Sequence, residues 1–179
     1  INVELIRQWL KSCKGRHQHK CTDARDAQRV PGFKVIDCRA KLVVEVAHQD
    51  CQYVALSYVW GDQAPSSYTD VSYPRSIEDA IEVCLLLGYE YLWVDKYCID
   101  QQDATETRVQ VQMMDSIYSQ AQLNIVAAVG QNSNYGLPGV GPTHRVPQQR
   151  LRIGDIELVQ MFQSGEKISE SKWGSRGWT

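Results

Sequence analysis

The side chains best suited to chemistry gather in three short stretches, each directly after an apolar run. Ser57, Tyr58, Trp60, Gly61 and Asp62 follow the run at residues 53–56, Asp95, Cys98 and Asp100 follow residues 91–94, and a glycine-punctuated stretch at residues 130–139 follows residues 123–128. If the three runs are parallel strands, these stretches lie beyond their carboxyl ends, where open α/β sheets take their ligands. A nucleotide, if one binds, binds among these groups. Arg176 and Trp178, near the end of the chain, add a phosphate-binding cation and a further ring.

Each of these residues also has a plainer reading. Trp60 and Trp93 can serve as core anchors, and Ser57, at a strand end, can bond backbone. A carboxylate ending a buried strand must find partners, and for Asp95 Arg108 or backbone amides would serve. Glu106 suits the first turn of a helix, and Arg176 suits an acidic group of the core. A thiolate nucleophile at Cys98 would need a base, and no histidine lies near it in sequence. Cys13, His17 and Cys21 have ligand types that suit zinc, spaced Cys-x3-His-x3-Cys. A structural site needs four ligands, so His19, Cys38 or Cys51 would have to complete it. The alternative is a polar loop carrying two packed thiols.

Several elements must position these groups. Leu5, Ile6, Trp9, Leu10 and Cys13 mark one face of an N-terminal helix. Residues 33–38 and 42–46 read as a β-hairpin appended to the core. Residues 53–58 are nearly all apolar, as in a strand covered on both faces. Ser76 is a good N-cap for a helix whose stripe is Ile77, Ala80, Ile81, Cys84 and Leu87. Asp79 adds a first-turn carboxylate, and Gly88 is placed to end the helix. Residues 91–94 form a second buried strand. Residues 103–106 open another helix, with Val109, Met113, Ile117 and Ala121 at intervals of four and Met114 and Tyr118 widening the face. Residues 123–128 form a third buried strand. This alternation predicts parallel strands joined by right-handed crossovers. A second hairpin turns at Gly154-Asp155, and residues 171–179 read as a tight turn or the start of a helix.

Composition bounds the partners. The chain has 179 residues, 43% hydrophobic and 22% charged, enough for a single domain with its own core. A formal net charge of −2 gives no support for a nucleic-acid partner, and no apolar run approaches the roughly 20 residues of a membrane span. Cys84 and Cys98 read as buried, reduced thiols, which favours a cytoplasmic location.

The motifs together resemble the fungal heterokaryon incompatibility (HET) domain family. Tyr53-Val54-Ala55-Leu56-Ser57-Tyr58-Val59-Trp60-Gly61 looks like its first signature. Leu92-Trp93-Val94-Asp95-Lys96-Tyr97-Cys98-Ile99-Asp100-Gln101 looks like the second, continued by Glu106, Gln112-Met113, Ile117-Tyr118 and Ala121. Gly136-Leu137-Pro138-Gly139 resembles the short motif after the third strand. Trp173 with Arg176-Gly177-Trp178-Thr179 resembles the opening of the third signature. Trp9-Leu10, Cys13, His17 and Cys21 are similar to a segment found before the domain in fungal members. Lys96 replaces a usually small residue, and Asp100 stands where Asn is common.

The resemblance implies a single domain over residues 1–179, with an N-terminal extension at 1–50 and a core at 51–179. It implies a TIR-related, flavodoxin-like parallel sheet flanked by helices. It further implies a role in fungal non-self recognition that ends in cell death, with NAD+ as the possible substrate of a cleavage reaction. Other incompatibility proteins, or a second copy of the chain, would be the partners. The alternative is a non-enzymatic self-associating module, its surface formed by the helices around 76–88 and 107–121. Nicotinamide–ribose cleavage passes through an oxocarbenium-like state that a carboxylate stabilises. In TIR enzymes that acid is a Glu shortly after a Trp. In the HET family the Arg-Gly-Trp-Thr motif runs on into a Gln-Glu pair, so the expected acid lies beyond Thr179 and residues 1–179 are expected to be inactive.

Overall fold

The computed structural model describes residues 1–16, 29–47, 51–61, 72–160 and 164–176. Its centre is a five-stranded mixed sheet built from β1 (Lys34–Asp37), β2 (Leu42–Glu45), β3 (Tyr53–Ser57), β4 (Tyr91–Val94) and β5 (Leu123–Val126), in the order β2-β1-β4-β3-β5. As the alternation predicts, β3 pairs in parallel with both β4 and β5. The expected N-terminal hairpin is present and joins this sheet, with β1 antiparallel to β4 through Ile36↔Leu92 and Asp37↔Tyr91. Asp37 Oδ1 organises its turn by accepting from the amides of Arg39 and Ala40 at 2.8 and 2.9 Å.

The two crossovers leave β3 covered on both faces. Helix α2 (Arg75–Leu87) joins β3 to β4, while α3 (Asp95–Cys98), α4 (Ala104–Gln112) and α5 (Met114–Gln120) lie between β4 and β5. Strand alternation places Tyr53, Ala55 and Ser57 on one face of β3, with Trp93 beside Ala55. That face meets α5: Tyr53 Oη donates to Ile117 O at 2.6 Å, and the Trp93 and Tyr118 rings meet edge to face at 5.4 Å. Right-handed winding puts α2 on the other face, where Ile77, Ala80, Ile81 and Cys84 are buried. Tyr53, Val54, Ala55, Leu56, Leu92, Trp93 and Val94 are all nearly inaccessible, which explains the unbroken apolar runs.

Four expectations need correction. The first concerns the start of α2, which begins at Arg75 with Pro74 as its N-cap, not Ser76. Ser76 turns inward, its Oγ accepting from Gly136 N at 3.2 Å. Asp79 is not a solvated first-turn carboxylate but a fully buried one, for the reason given below. The helix of residues 104–120 is interrupted at Met113 (φ −104°, ψ 9°). Buried Gln110 holds α4 to the Pro31 and Gly32 carbonyls at 3.3 and 3.2 Å, whereas α5 turns to lay Ile117 on the sheet. Finally β5 is an edge strand with Asn124 and Val126 exposed, because it pairs with β3 alone.

Gly88 ends α2 in the left-handed region (φ 88°), as expected. Helix α1 (Val3–Arg16) buries no residue completely. Ile6, Leu10 and Cys13 are half-buried, but Trp9 is 62% exposed, so the expected apolar face is only partly covered. The second hairpin forms as expected, β6 (Arg150–Ile153) against β7 (Ile156–Val159), followed by a short helix α6 (Ser164–Ser169). Among the described residues no helix is long and apolar enough to cross a membrane.

Candidate functional site

Parallel pairing of β3, β4 and β5 brings Ser57, Asp95 and the turn after Val126 to one rim. The central strand β3 has β4 on one side and β5 on the other, so the β3 and β5 exits flank the topological switch point, the place where such sheets take ligands. The exits from these two strands touch. Gly61 has φ +78°, and a Cβ there would lie 2.5 Å from Asn132 Cβ, so a side chain at 61 would push the loops apart.

The loop of residues 130–143 is pinned from below by α2. Asp79 Oδ2 accepts from Leu137 N at 2.8 Å and from Thr143 Oγ1 at 3.1 Å, and Oδ1 pairs with Arg75 Nη2 at 2.6 Å. Ser76 N adds a bond to Ser133 O at 2.8 Å. Gly136, at φ +87°, lies against this carboxylate, and a Cβ would stand 2.6 Å from Asp79 Oδ2. The Gly136-Leu137-Pro138-Gly139 motif is therefore the seat of the loop, and Asp79 needs burial to hold it.

The rim cluster is built around Asp95. Its Oδ1 accepts from Trp60 Nε1 at 2.9 Å and from Lys96 N at 2.7 Å. Lys96 is buried, and its ammonium stands 5.8 Å from the centroid of the Trp60 ring. Desolvation pushes the Asp95 carboxyl up to about 6, against the opposing pull of the Trp60 and Lys96 N–H groups and the Arg176 and Lys96 charges. It can thus exchange a proton near neutrality, which an ordinary aspartate does not do. Tyr58 is buried, and its hydroxyl has no hydrogen-bond partner among the described residues. Burial, then the neighbouring Asp95 charge, pushes that phenol far up.

Ser57 is the second knot. Its Oγ accepts from Trp173 Nε1 at 2.8 Å and from Arg176 Nη2 at 3.1 Å, while Arg176 Nη1 donates to Tyr58 O at 2.6 Å. Tyr118 Oη donates to Leu56 O at 3.4 Å and lies within reach of the Ser57 hydroxyl. Ser57 therefore bonds side chains more than backbone, and Arg176 caps the end of β3 while standing in electrostatic range of Asp95.

Ser57, Tyr58, Trp60, Gly61, Asp95 and Arg176 lie together at the rim. Cys98 and Asp100 do not join them. Cys98 is fully buried, its Sγ 3.3 Å from Val94 N, and burial pushes its thiol up to about 12, so it presents neither a thiolate nor an open surface. Asp100 folds back on its own turn, its Oδ1 accepting from Gln102 N at 2.9 Å. Glu106 does more than open a helix: it pairs with Lys34 at 2.8 Å and accepts from Asp100 N at 3.3 Å, on the β1 side of the rim. Arg108 is exposed and gives Asp95 no bond among the described residues. Asp62, Trp178, His17 and Cys21 lie outside the described residues. Cys13 sits half-buried on α1, and the described residues contain no group of three metal-ligating side chains.

Sequence reasoning missed Lys96, Tyr118 and Trp173 as members of the cluster. Tyr118 looks like one more apolar position on a helical stripe, and only its hydroxyl hints at a polar partner. Trp173 stands in a quoted motif, but a tryptophan 116 positions from Ser57 has no local signal linking the two.

Residues 53–179 match the family described as Heterokaryon incompatibility protein (HET). The chain is similar to Heterokaryon incompatibility protein 6, OR allele, of Neurospora crassa, at 29% identity over 140 residues. That similarity covers 68% of this chain but 19% of the Neurospora protein, so the chain spans about a fifth of its relative's length. No solved structure matches.

Proposed function

This chain belongs to the heterokaryon incompatibility (HET) family, and we propose that it serves as an effector domain of fungal non-self recognition, triggering cell death through a nucleotide site on the β3–β4–β5 rim. The observation that carries this reading is the joining of Trp60, Asp95 and Lys96 beside Ser57 and Arg176 at the switch point of the sheet. Trp60 offers a ring face, Asp95 an acceptor for ribose hydroxyls, and Lys96 positive charge for phosphate. NAD+ combines all three features. Cleavage of its nicotinamide–ribose bond is the effector chemistry proposed for the complete domain, in keeping with the TIR likeness. The reacting carboxylate is assigned to the Gln-Glu pair that follows the third signature in the family.

Purified residues 1–179 mixed with NAD+ are expected to give a binding heat in calorimetry but no free nicotinamide. A chain running through the Gln-Glu pair is expected to release nicotinamide and to lose about a hundredfold in rate on Asp95→Ala. Absence of any binding heat would remove the nucleotide site. Turnover by residues 1–179 would overturn the assignment of the acid.

A second reading, a self-associating signalling module, is favoured by the β6–β7 hairpin. Leu151↔Leu158 and Ile153↔Ile156 are cross-strand pairs on one face of this ribbon, and all four side chains are at least half exposed. A two-stranded ribbon is marginal alone and gains from a cover. The apolar stripe of α2 is already packed on the sheet, so the hairpin replaces the helices as the proposed surface. Sedimentation is expected to detect a weak dimer at high protein concentration that Leu151→Glu with Ile156→Glu abolishes. A chain that stays monomeric at every concentration excludes this reading.

A further inference from the structure

The turn at residues 171–176 bridges the exits of β5 and β3 at the switch point. On the β5 side, Lys172 Nζ donates to Gln131 O at 3.0 Å. On the β3 side, Trp173 Nε1 and Arg176 Nη2 converge on Ser57 Oγ, and Arg176 Nη1 reaches Tyr58 O. Every one of these ties to the rim is a polar bond made by a side chain of the turn. Trp173, half-buried, is the one large ring of the turn.

What precedes the turn adds little anchorage. All residues from 144 to 160 are exposed, as are the described side chains of α6. A segment tied to the rim through polar side-chain bonds, and preceded by a long stretch of exposed residues, belongs to the less stable part of a fold. The bonds themselves are internal to the turn and the rim. Ser57 Oγ accepts two donors at once, so its loss releases both Trp173 and one arm of Arg176 together. Arg176 in turn is the link that brings a cation toward Asp95.

We infer that residues 171–176 form a releasable strap. Closed, the strap ties the exits of β3 and β5 together and holds Arg176 on the rim, in electrostatic range of Asp95. Released, it opens the rim without disturbing the sheet, because β3, β4 and β5 draw their burial from α2 and α5 and not from the turn. The inference names a regulation of the rim, and it stands or falls on exposure of that rim, whether or not the rim takes a dinucleotide.

Hydrogen exchange and carbodiimide labelling of carboxylates, both on residues 1–179 without ligand, test it. In Arg176→Gln and in Ser57→Ala, amides of residues 171–176 are expected to exchange about ten- to a hundredfold faster. Amides of β3 and β4 are expected to keep wild-type rates, and Asp95 is expected to label several-fold faster. Faster exchange throughout β3, β4 and β5 in both variants would make the turn an integral part of the core and overturn the strap. Wild-type exchange at 171–176, or wild-type labelling of Asp95, would overturn it as well. These readouts need no bound nucleotide, so a negative result here leaves the proposed function standing, and absence of NAD+ binding leaves the strap standing.

Discussion

Asp79→Ala is expected to lower the unfolding free energy by about 3–5 kcal/mol, a large loss for a single polar substitution. Asp79 is fully buried and serves three partners at once, the Leu137 amide, the Thr143 hydroxyl and the Arg75 guanidinium. Removing it strands a buried amide and hydroxyl at about 1–3 kcal/mol each and leaves Arg75 without its carboxylate. Arg75 is about a third exposed, so water takes over part of its loss. For a chain of this size the midpoint of thermal unfolding falls by about 10 °C. Thr143→Ala, which removes one neutral partner and leaves the carboxylate paired, is expected to cost about 1 kcal/mol. Denaturant melts of the two variants check the ratio. Equal small losses would mean that the loop of residues 130–143 is seated by something other than Asp79.

Asp79 also marks where sequence reading reaches its limit. The period-four stripe of α2 gives the helix, and the Asp near its start suits the helix dipole. Nothing in that local pattern distinguishes a solvated carboxylate from one buried against a loop 58 positions away. The same limit governs the rim. Ser57, Asp95 and the Gly130 turn follow directly from three apolar runs and the parallel connection they require, so their convergence is readable from the order of elements alone. The chemistry at each point is not. Whether Ser57 bonds backbone, ligand or another side chain depends on Trp173 and Arg176, which no periodicity connects to β3.

Local signals succeed where one element decides the outcome. Gly88 ends α2 and Gly154 turns the second hairpin because both positions need a positive φ. Ser76 fails as a cap because Pro74, with its fixed φ, sets the entry to the helix and a distant amide at Gly136 claims the hydroxyl. The helix of residues 104–120 fails as one rod while Gln110, a buried polar residue on the same face as Met113, Met114 and Ile117, bonds the carbonyls of Pro31 and Gly32. In each case a long-range polar bond overrides a sound local preference. Apolar pattern therefore gives the layers, and the buried polar groups, which give the site, stay hidden until the chain is folded.

Asp95→Asn is expected to raise stability at pH 7, the opposite of the Asp79 result. A carboxyl near its ordinary value of about 3.9 in the unfolded chain and about 6 in the fold binds more protons when folded between those two values. The slope of unfolding free energy with pH is then negative, so stability is highest below about pH 4 and falls as the pH rises to about 6. Above that it stays lower by up to about 3 kcal/mol, and because Asp95 keeps some solvent access the expected range is about 1–3 kcal/mol. An amide in its place cannot ionise, yet its oxygen can still accept from Trp60 Nε1 and Lys96 N. Urea melts from pH 4 to pH 8 are expected to show the wild type losing stability across this window and the variant staying flat, the curves diverging in the variant's favour above pH 6. Parallel curves would mean that Asp95 ionises without penalty. The contrast separates the two buried carboxylates by what surrounds them. Asp79 is held by two donors and a guanidinium and seats a loop, whereas Asp95 carries a desolvation cost that its N–H donors and neighbouring cations only partly offset.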